Sequence, residues 1–533
     1  MARQLTEQEF RFPLRGKDVV TPRTAQGPDT FVDGQNVRIF DPLESRARGG
    51  LRYGLSKFLD AQLDGTNRIQ NITNITVISN TAPNTSALFV RQVKGVAVSN
   101  GTVSEFNTSA FTPATSSGSQ SLSNTAPFIL SAGLFSKVYF TDGISYRVWD
   151  GSDNTVGDWT ATAGSLPGTD GTSVPRLIAM WRSRIVLSGL RTDPHNWFLS
   201  RLGNANDWDF DPQEQSKTQA VAGGTGKVGT IGAPIQSLMP YTDDVLLIGT
   251  DSSLHAMAGD PADGGSLETI STTTGTAFGS PYCMDSYGNI YFFSSRGGIH
   301  MISAGGGAPQ SLSEGSIDPE LRSIDLNTHF VRMAWDDSQL GAYIFISPFS
   351  AGATTHYFWD LRTKGFFPIV FANSSHNPFA VSVFDGDDPD DRVVLLGGED
   401  GRIRKLDKSV STDDGGAISS FVLLGPIKAE GGKPFVLSEL QAQLDLNSSS
   451  LKFEVVTADT PERAIENISG AFSGEGTFSA GLSPTHNPRK RGYWGYIKVG
   501  DTSSSSPWAF EYLRARLSVI TSSRGRQRSS DTQ

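Results

Sequence analysis

The residues Gly224-Thr-Gly226-Lys-Val-Gly229 match the glycine spacing with which a strand-to-helix turn cradles a dinucleotide, and Gly226-Lys227 invites a phosphate-loop reading. Either use needs a buried strand before the glycines and a helix after them, so that backbone N–H groups and the helix dipole meet the phosphate. Here a Gly/Thr-rich loop leads to Ile231-Gly-Ala-Pro234, and Val228 stands where a phosphate loop requires Ser or Thr. Nucleotide binding is not expected. Asp385-Gly-Asp-Asp-Pro-Asp-Asp391 could gather oxygen ligands for Ca²⁺, but Pro389 occupies a ligand position. A solvated hairpin tip between Val381-Ser-Val-Phe384 and Val393-Val-Leu-Leu396 is the simpler reading.

Cleavage of a glycosidic bond needs two carboxylates facing each other across it. The pairs Asp243-Asp244, Asp336-Asp337 and Asp387-Asp388 are sequence neighbours, which point apart on a strand and usually decorate turns. The seven His residues include no i, i+4 pair with a Glu for zinc, and no Gly-x-Ser-x-Gly elbow offers a serine nucleophile. Trp149, Trp181, Trp197, Trp208, Trp335 and Trp359 could form a sugar-stacking surface, but aromatics so placed more often fill a core. The expectation is therefore no catalytic residue, no cofactor, no metal site and no enzymatic activity.

The elements around these residues are short alternating strands in a recurring unit. Lys137-Val-Tyr-Phe-Thr-Asp-Gly143 is followed by Tyr146-Arg-Val-Trp149, Val245-Leu-Leu-Ile-Gly-Thr-Asp251 by Leu254-His-Ala-Met257, and Asn289-Ile-Tyr-Phe-Phe-Ser-Ser295 by Ile299-His-Met-Ile302. A fourth copy reads Val393-Val-Leu-Leu-Gly-Gly-Glu-Asp-Gly401, then Ile403-Arg-Lys-Leu406. First strands start near Phe128, Leu177, Ile235, Tyr282, Val331 and Phe379, a period of roughly 50 residues, which is a propeller period. Counting back places a further blade near Asn80, so six or seven blades are predicted over 62–407. One such unit cannot bury its apolar face alone, whereas a closed ring can. The repeated Ser-x-Asp-x-Gly-x-x-Trp signature of sialidase blades is missing.

Residues 1–61 differ from the repeats. Pro13, Pro22, Pro28 and Pro42 interrupt short segments rich in Arg and Lys, which reads as an extended arm that must lean on something else to be ordered. After Asp407, Ser409-Val-Ser-Thr-Asp-Asp-Gly-Gly416 reads as a linker. Strands then recur without the blade spacing, as in Leu451-Lys-Phe-Glu-Val-Val456 and Ala509-Phe-Glu-Tyr-Leu-Arg-Ala-Arg-Leu517, so 408–533 is predicted to be a β-sandwich ending in a basic tail. The fold class is all-β, with helix confined to turns near Asp318 and Asp459.

With 533 residues and an aromatic share of 10%, the chain can fill several cores. No apolar run approaches a membrane span, and Met1 to Phe10 has no apolar signal region. A lone Cys283 excludes an intrachain disulfide. Assembly in a reducing cytoplasm is expected. The net charge of −10 hides an asymmetry: from His486 to Gln533 nine Lys/Arg oppose three Asp/Glu, giving +6, so the remainder carries −16. An acidic body repels nucleic acid, while the basic residues could meet an acidic partner. The candidates for such docking are Arg38, Arg46, Arg48 and Arg52 in the arm, and Arg489, Lys490, Arg491, Arg514 and Arg516 near the end.

Several segments resemble one protein family. Phe198-Leu-Ser-Arg-Leu-Gly-Asn-Ala-Asn-Asp-Trp-Asp209 is similar to a strand, Ser, Gly/Asn turn and Asp-Trp segment common in tail proteins of short-tailed bacteriophages. Asp33-Gly-Gln-Asn-Val-Arg38 followed by Arg48-Gly-Gly-Leu-Arg-Tyr-Gly54 resembles the N-terminal pattern of the same proteins, the tail nozzle proteins, also called tail tubular protein B or packaged-DNA stabilisation proteins. The likeness is patchy and extends to Tyr493-Trp-Gly-Tyr496 and Arg524-Gly-Arg526. It implies a structural virion protein of the tail, six copies forming a ring below the portal and adaptor. The ring's channel would retain and then conduct double-stranded DNA without reading its sequence, and its surface would dock fibres. The acidic body agrees, since an acidic lumen avoids a salt-bridged grip on phosphates. A receptor- or glycan-binding propeller is the alternative, and a glycosidase-type propeller the third reading.

Overall fold

The computed structural model describes residues 4–79, 90–107, 110–116, 121–168, 173–211, 216–223, 231–350, 352–386, 391–469, 474–501 and 506–520. It divides into two units: Leu55–Lys364 with Val370–Asp407, and Met1–Gly54 with Gly365–Ile369 and Lys408–Gln533.

The first unit is a seven-bladed β-propeller. Blades 1 to 5 are antiparallel meanders of four strands, with Thr115–Ser116 added in parallel to the last strand of blade 2, and their first strands are Ile69–Ser79, Leu130–Leu134, Leu177–Trp181, Ile235–Thr242 and Tyr282–Met284; blades 6 and 7 begin at His329–Asp336 and Ala380–Phe384. Blade 1 thus starts at Ile69, about a strand length before the position expected from the period. Its Thr/Asn-rich first strand pairs from Asn71↔Val98 to Ser79↔Val90. The ring is closed from the N-terminal side. Strand Gly54–Lys57 adds to Ile403–Asp407 of blade 7, and the Phe58 amide donates to the Ile403 carbonyl at 2.9 Å.

Alternation along the strands gives each blade two apolar faces, so the cores lie between blades. Trp149 packs with Val96, Val98, Val138 and Phe140 between blades 1 and 2; Trp208 with Ala132, Tyr139, Ile185 and Leu187 between blades 2 and 3; Trp181 and Trp197 with Leu238, Leu246 and Ile248 between blades 3 and 4. Tyr291 of blade 5 stacks on Trp335 of blade 6, with ring centroids 5.4 Å apart and 6° between planes. All six tryptophans considered as a sugar surface are buried in such seams.

The second unit is a β-sandwich, and the expected arm is part of it. One sheet runs Gln4–Phe10, Phe510–Val519, Phe435–Leu444, Lys490–Gly492; the other runs Gly34–Gln35, Ser420–Lys428, Trp494–Asp501, Leu451–Ala458, Gly474–Phe478. Gln4↔Val519 through Phe10↔Leu513 is an unbroken antiparallel register. The boundaries 1–61 and 408–533 therefore do not separate two bodies. Residues from both segments share both sheets, because strands without enough apolar surface for their own core gain one by pairing. Phe12, Phe31, Val32, Val37, Ile39 and Leu51 are buried, and the rings of Phe12 and Phe31 flank Phe367 at 6.5 and 6.1 Å. The stretch read as a linker is likewise built in, with Asp413 wholly buried.

The α-helices among the described residues are Asp318–Arg322 and Pro461–Glu466, both short with Pro in the first turn. No helix among the described residues is long and apolar enough to cross a membrane.

Candidate functional site

The nine basic residues separate into internal and surface groups. Arg48 is 7% exposed, and its guanidinium meets Asp41 at 3.0 Å, Glu44 at 3.0 Å, Asp445 at 2.8 Å, and Glu511. Burial opposes its charge, but hydrogen bonds to Asp41 and Glu511 outweigh that and raise its pKa. Arg52 is 1% exposed and grips both carboxylate oxygens of Asp413 at 2.8 and 2.5 Å, while its Nε donates to Asn36 Oδ1 at 2.8 Å. Arg38 is buried, with Nη1 donating to the Val37 carbonyl at 3.3 Å. These three, expected to meet a partner, have their guanidinium groups enclosed within this chain, so burial removes them as docking residues.

The local sequence explains why. Gly49 has φ +81°, and a Cβ there would lie 2.0 Å from the Phe12 ring; one on Gly50 would lie 2.5 Å from the Trp508 carbonyl oxygen. In Arg48-Gly-Gly-Leu-Arg52 the glycines thus let the backbone pass close to Phe12 and Trp508, and the arginines enter ion pairs on either side. Asn36, with φ 56°, is the acceptor for Arg52. The segments that carry the family resemblance therefore form a structural framework.

The other basic residues reach the surface. Arg46 pairs with Glu44 at 3.0 Å in an exposed bridge. Arg516 joins two strands, reaching Glu7 and Glu439 at 2.7 Å each, and that hydrogen bond holds the Glu7 carboxyl below its ordinary value. Arg514 donates to Gln441 Oε1 at 2.5 Å. Arg489 and Arg491 are exposed on either side of half-buried Lys490, at the sheet edge opposite Phe435–Leu437.

A concavity lies on the propeller axis. It has a volume of about 720 Å³ and is walled by first strands of all seven blades. Its polar wall includes Asn71, Asn74, Ser131, Ser280 and Ser382. Asn71 Nδ2 donates to the Ile129 carbonyl at 2.9 Å and approaches Ser131 Oγ at 3.2 Å, linking blades 1 and 2. Ser280 Oγ accepts from the Leu238 amide at 3.0 Å, and Ser382 Oγ lies 3.5 Å from Asn74 Oδ1. Where the first strands begin, Phe128 packs on Phe278 at 6.1 Å and on Phe330 at 5.3 Å, and Phe330 on Phe379 at 5.2 Å. Arg332 lies at this end, its guanidinium 4.0 Å from the centre of the Phe128 ring and its Nη1 donating to the Gly279 carbonyl at 2.9 Å. The charged residue of the wall escaped the sequence reading. Its signal was a single cation inside the apolar run Val331-Arg-Met-Ala-Trp335.

Among the described residues no Asp or Glu lines this cavity, so they place no carboxylate pair there for glycoside cleavage. Asp336 accepts from the amides of Ser338 and Gln339, Asp337 accepts from Trp335 Nε1 at 2.7 Å, and Asp244 pairs with Arg182 at 2.8 Å, all at turns. Among the described residues, no three His, Cys, Asp or Glu come together to hold a metal ion. Gly224 to Gly229 and Asp387-Asp388 lie outside the described residues, as does Arg524-Gly-Arg526; the strands flanking the Asp385 tip pair as a hairpin, Phe384 opposite Val393.

No family model and no curated protein matches the sequence. Among solved structures, the chain is similar to the extracellular domain of a protein described as a hybrid two component system, BT4673 from B. thetaiotaomicron, with 10% identity and a TM-score of 0.42 over 74% of this chain; it spans 45% of that structure's length. It is also similar to YCF48 from Cyanidioschyzon merolae, with 12% identity and a TM-score of 0.39, over 67% of this chain and 99% of that one. A third is YCF48 bound to D1 peptide, with 11% identity and a TM-score of 0.38, over 66% of this chain and 96% of that one. Likeness at this level is one of β architecture and carries nothing about ligands or activity.

Proposed function

We propose that this chain is a structural virion protein of a short-tailed bacteriophage, a tail nozzle protein whose copies form a ring that retains the genome and conducts it during ejection. What supports the reading is that Asp33–Arg38 and Arg48–Gly54, the segments behind the resemblance, build the buried frame of Asn36, Arg48, Arg52 and Asp413. A buried frame of this kind suits a scaffold. On this reading the chain catalyses nothing, and its surface cations Arg46, Arg489, Arg491 and Arg514 are the ones left to meet neighbouring copies, an adaptor ring or fibres. The axial cavity is of small-ligand size, so duplex DNA would pass between copies and not through a propeller. Six copies come from the resemblance alone.

Electron microscopy of the purified chain mixed with the portal and adaptor proteins of the same virus tests this. A closed ring seated below the adaptor is the expected image. A chain that stays monomeric in that mixture and is missing from purified virions by mass spectrometry overturns the proposal. The second reading, a ligand-binding propeller, is favoured by the axial cavity, whose mainly apolar wall carries a few amide and hydroxyl side chains.

A further inference from the structure

Among the described residues that line the axial cavity, Arg332 is the sole formally charged side chain. No carboxylate among the described residues pairs with it; its contacts are the Phe128 and Phe330 rings and the Gly279 carbonyl. Burial pushes its pKa down to about 10, so it remains a cation at neutral pH. Holding an unpaired cation in a partly desolvated place costs free energy, and an apolar residue would pack the same inner strand without that cost. The guanidinium has five N–H donors in a planar fork, of which Nη1 serves Gly279. The fork is oriented by stacking on Phe128, as a guanidinium preset for a planar anion would be.

We propose that the axial cavity binds a small hydroxyl-rich monocarboxylate, an acidic monosaccharide in chemical class. Its carboxylate sits on the Arg332 fork, and its hydroxyls on Asn74, Ser131, Ser280 and Ser382. The charge sets the class. One cation, with no second Lys or Arg among the described residues of the wall, balances one carboxylate, whereas a phosphate dianion would remain half-neutralised in a low-dielectric site. The wall sets the rest, since amides and hydroxyls donate and accept in the mixed pattern that sugar hydroxyls require. The volume of about 720 Å³ accommodates such a ligand with bridging water. The inference does not depend on the virion reading, because a monomeric chain would carry the same cavity.

The test is calorimetric titration of the full chain with galacturonate and with N-acetylneuraminate, using galactose as the uncharged counterpart and inorganic phosphate as the bare anion. Binding of at least one sugar acid is expected, with galactose weaker by at least about tenfold, the loss that follows from removing one charge-assisted pair. Arg332→Gln should abolish the preference for the acid, and Arg332→Lys, which keeps the charge but loses the fork, should restore part of it. Failure of both acids to bind, equal binding of galactose, or an unchanged preference in Arg332→Gln overturns the proposal. Phosphate binding as tight as the acids overturns the assignment to a sugar. Should Arg332→Gln fail to fold, a crystal structure of the unsubstituted chain with the acid decides: a carboxylate on Arg332 supports the site, and one elsewhere overturns it.

Discussion

Arg52 and Asp413, 361 positions apart, form a two-pronged ion pair in which both side chains are almost completely withdrawn from water. Such a pair need not be a net source of stability, but breaking it strands a charge. Arg52→Met should destabilise the sandwich unit by about 3–5 kcal/mol, as is typical when one partner of a buried pair is removed. The double variant Arg52→Met with Asp413→Leu should recover part of the loss. Urea denaturation of the two singles and the double checks this, and additive losses would show that the two residues are not coupled.

Removing residues 1–50 should unfold the sandwich unit and spare the propeller. Deletion strips Gln4–Phe10 from Phe510–Val519 and takes Phe12, Phe31, Val37 and Arg48 from the core. Limited proteolysis of the truncated chain should leave a resistant fragment close to residues 55–407. Protection of Phe510–Val519 equal to that in the full chain would count against the pairing.

Acid should weaken both units through named carboxylates. Burial alone would raise Asp41, but hydrogen bonds from Arg48 and from the amides of Glu44 and Arg46 hold it below the ordinary value; Asp400 is likewise depressed by Arg404 despite its burial. A depressed carboxylate contributes stability that is complete above the unfolded pKa, about 3.9 for Asp, and is lost as pH falls through that value toward the folded one. The urea midpoint should therefore fall between about pH 5 and pH 2. Asp41→Asn should flatten that slope, and an unaltered slope would remove Asp41 from the account.

Cys283 should be inert in the folded chain. It is 7% exposed, and burial, with the nearby Asp285 charge, pushes its thiol well above the usual range, leaving little thiolate. A chromogenic disulfide reagent at mildly alkaline pH should find no thiol in the native protein and one in denaturant. Rapid labelling before unfolding would contradict the burial.

What the sequence disclosed depended on how local the cause was. The blades were legible because alternation and turn residues act within a few positions, as in Lys137–Thr141 followed by Tyr146–Asp150. Blade 1 was placed late because Ile72-Thr-Asn-Ile-Thr-Val-Ile78 belongs to an 11-residue strand rich in Thr and Asn, whose burial comes from neighbouring blades. The arm was misjudged for a different reason. Its pairing partners lie hundreds of positions away, and no local pattern distinguishes Arg48, whose carboxylates are 7, 4, 397 and 463 positions off, from an exposed cation such as Arg46. The cavity wall was hidden because seven strands contribute to it a few residues each.

The strand Gln4–Phe10 is made long before its partner Phe510–Val519. At typical synthesis rates of about 5–20 residues per second, the early strand waits on the order of half a minute or more for that partner. During that time the propeller can close, since Leu55 to Asp407 contains every strand its seven seams require. The strand Gln4–Phe10 meanwhile presents an unpaired edge. The chain thus has a built-in order of completion, ring first and sandwich second. A ribosome stalled shortly before Phe510 would carry a finished propeller and an open strand able to capture the wrong edge.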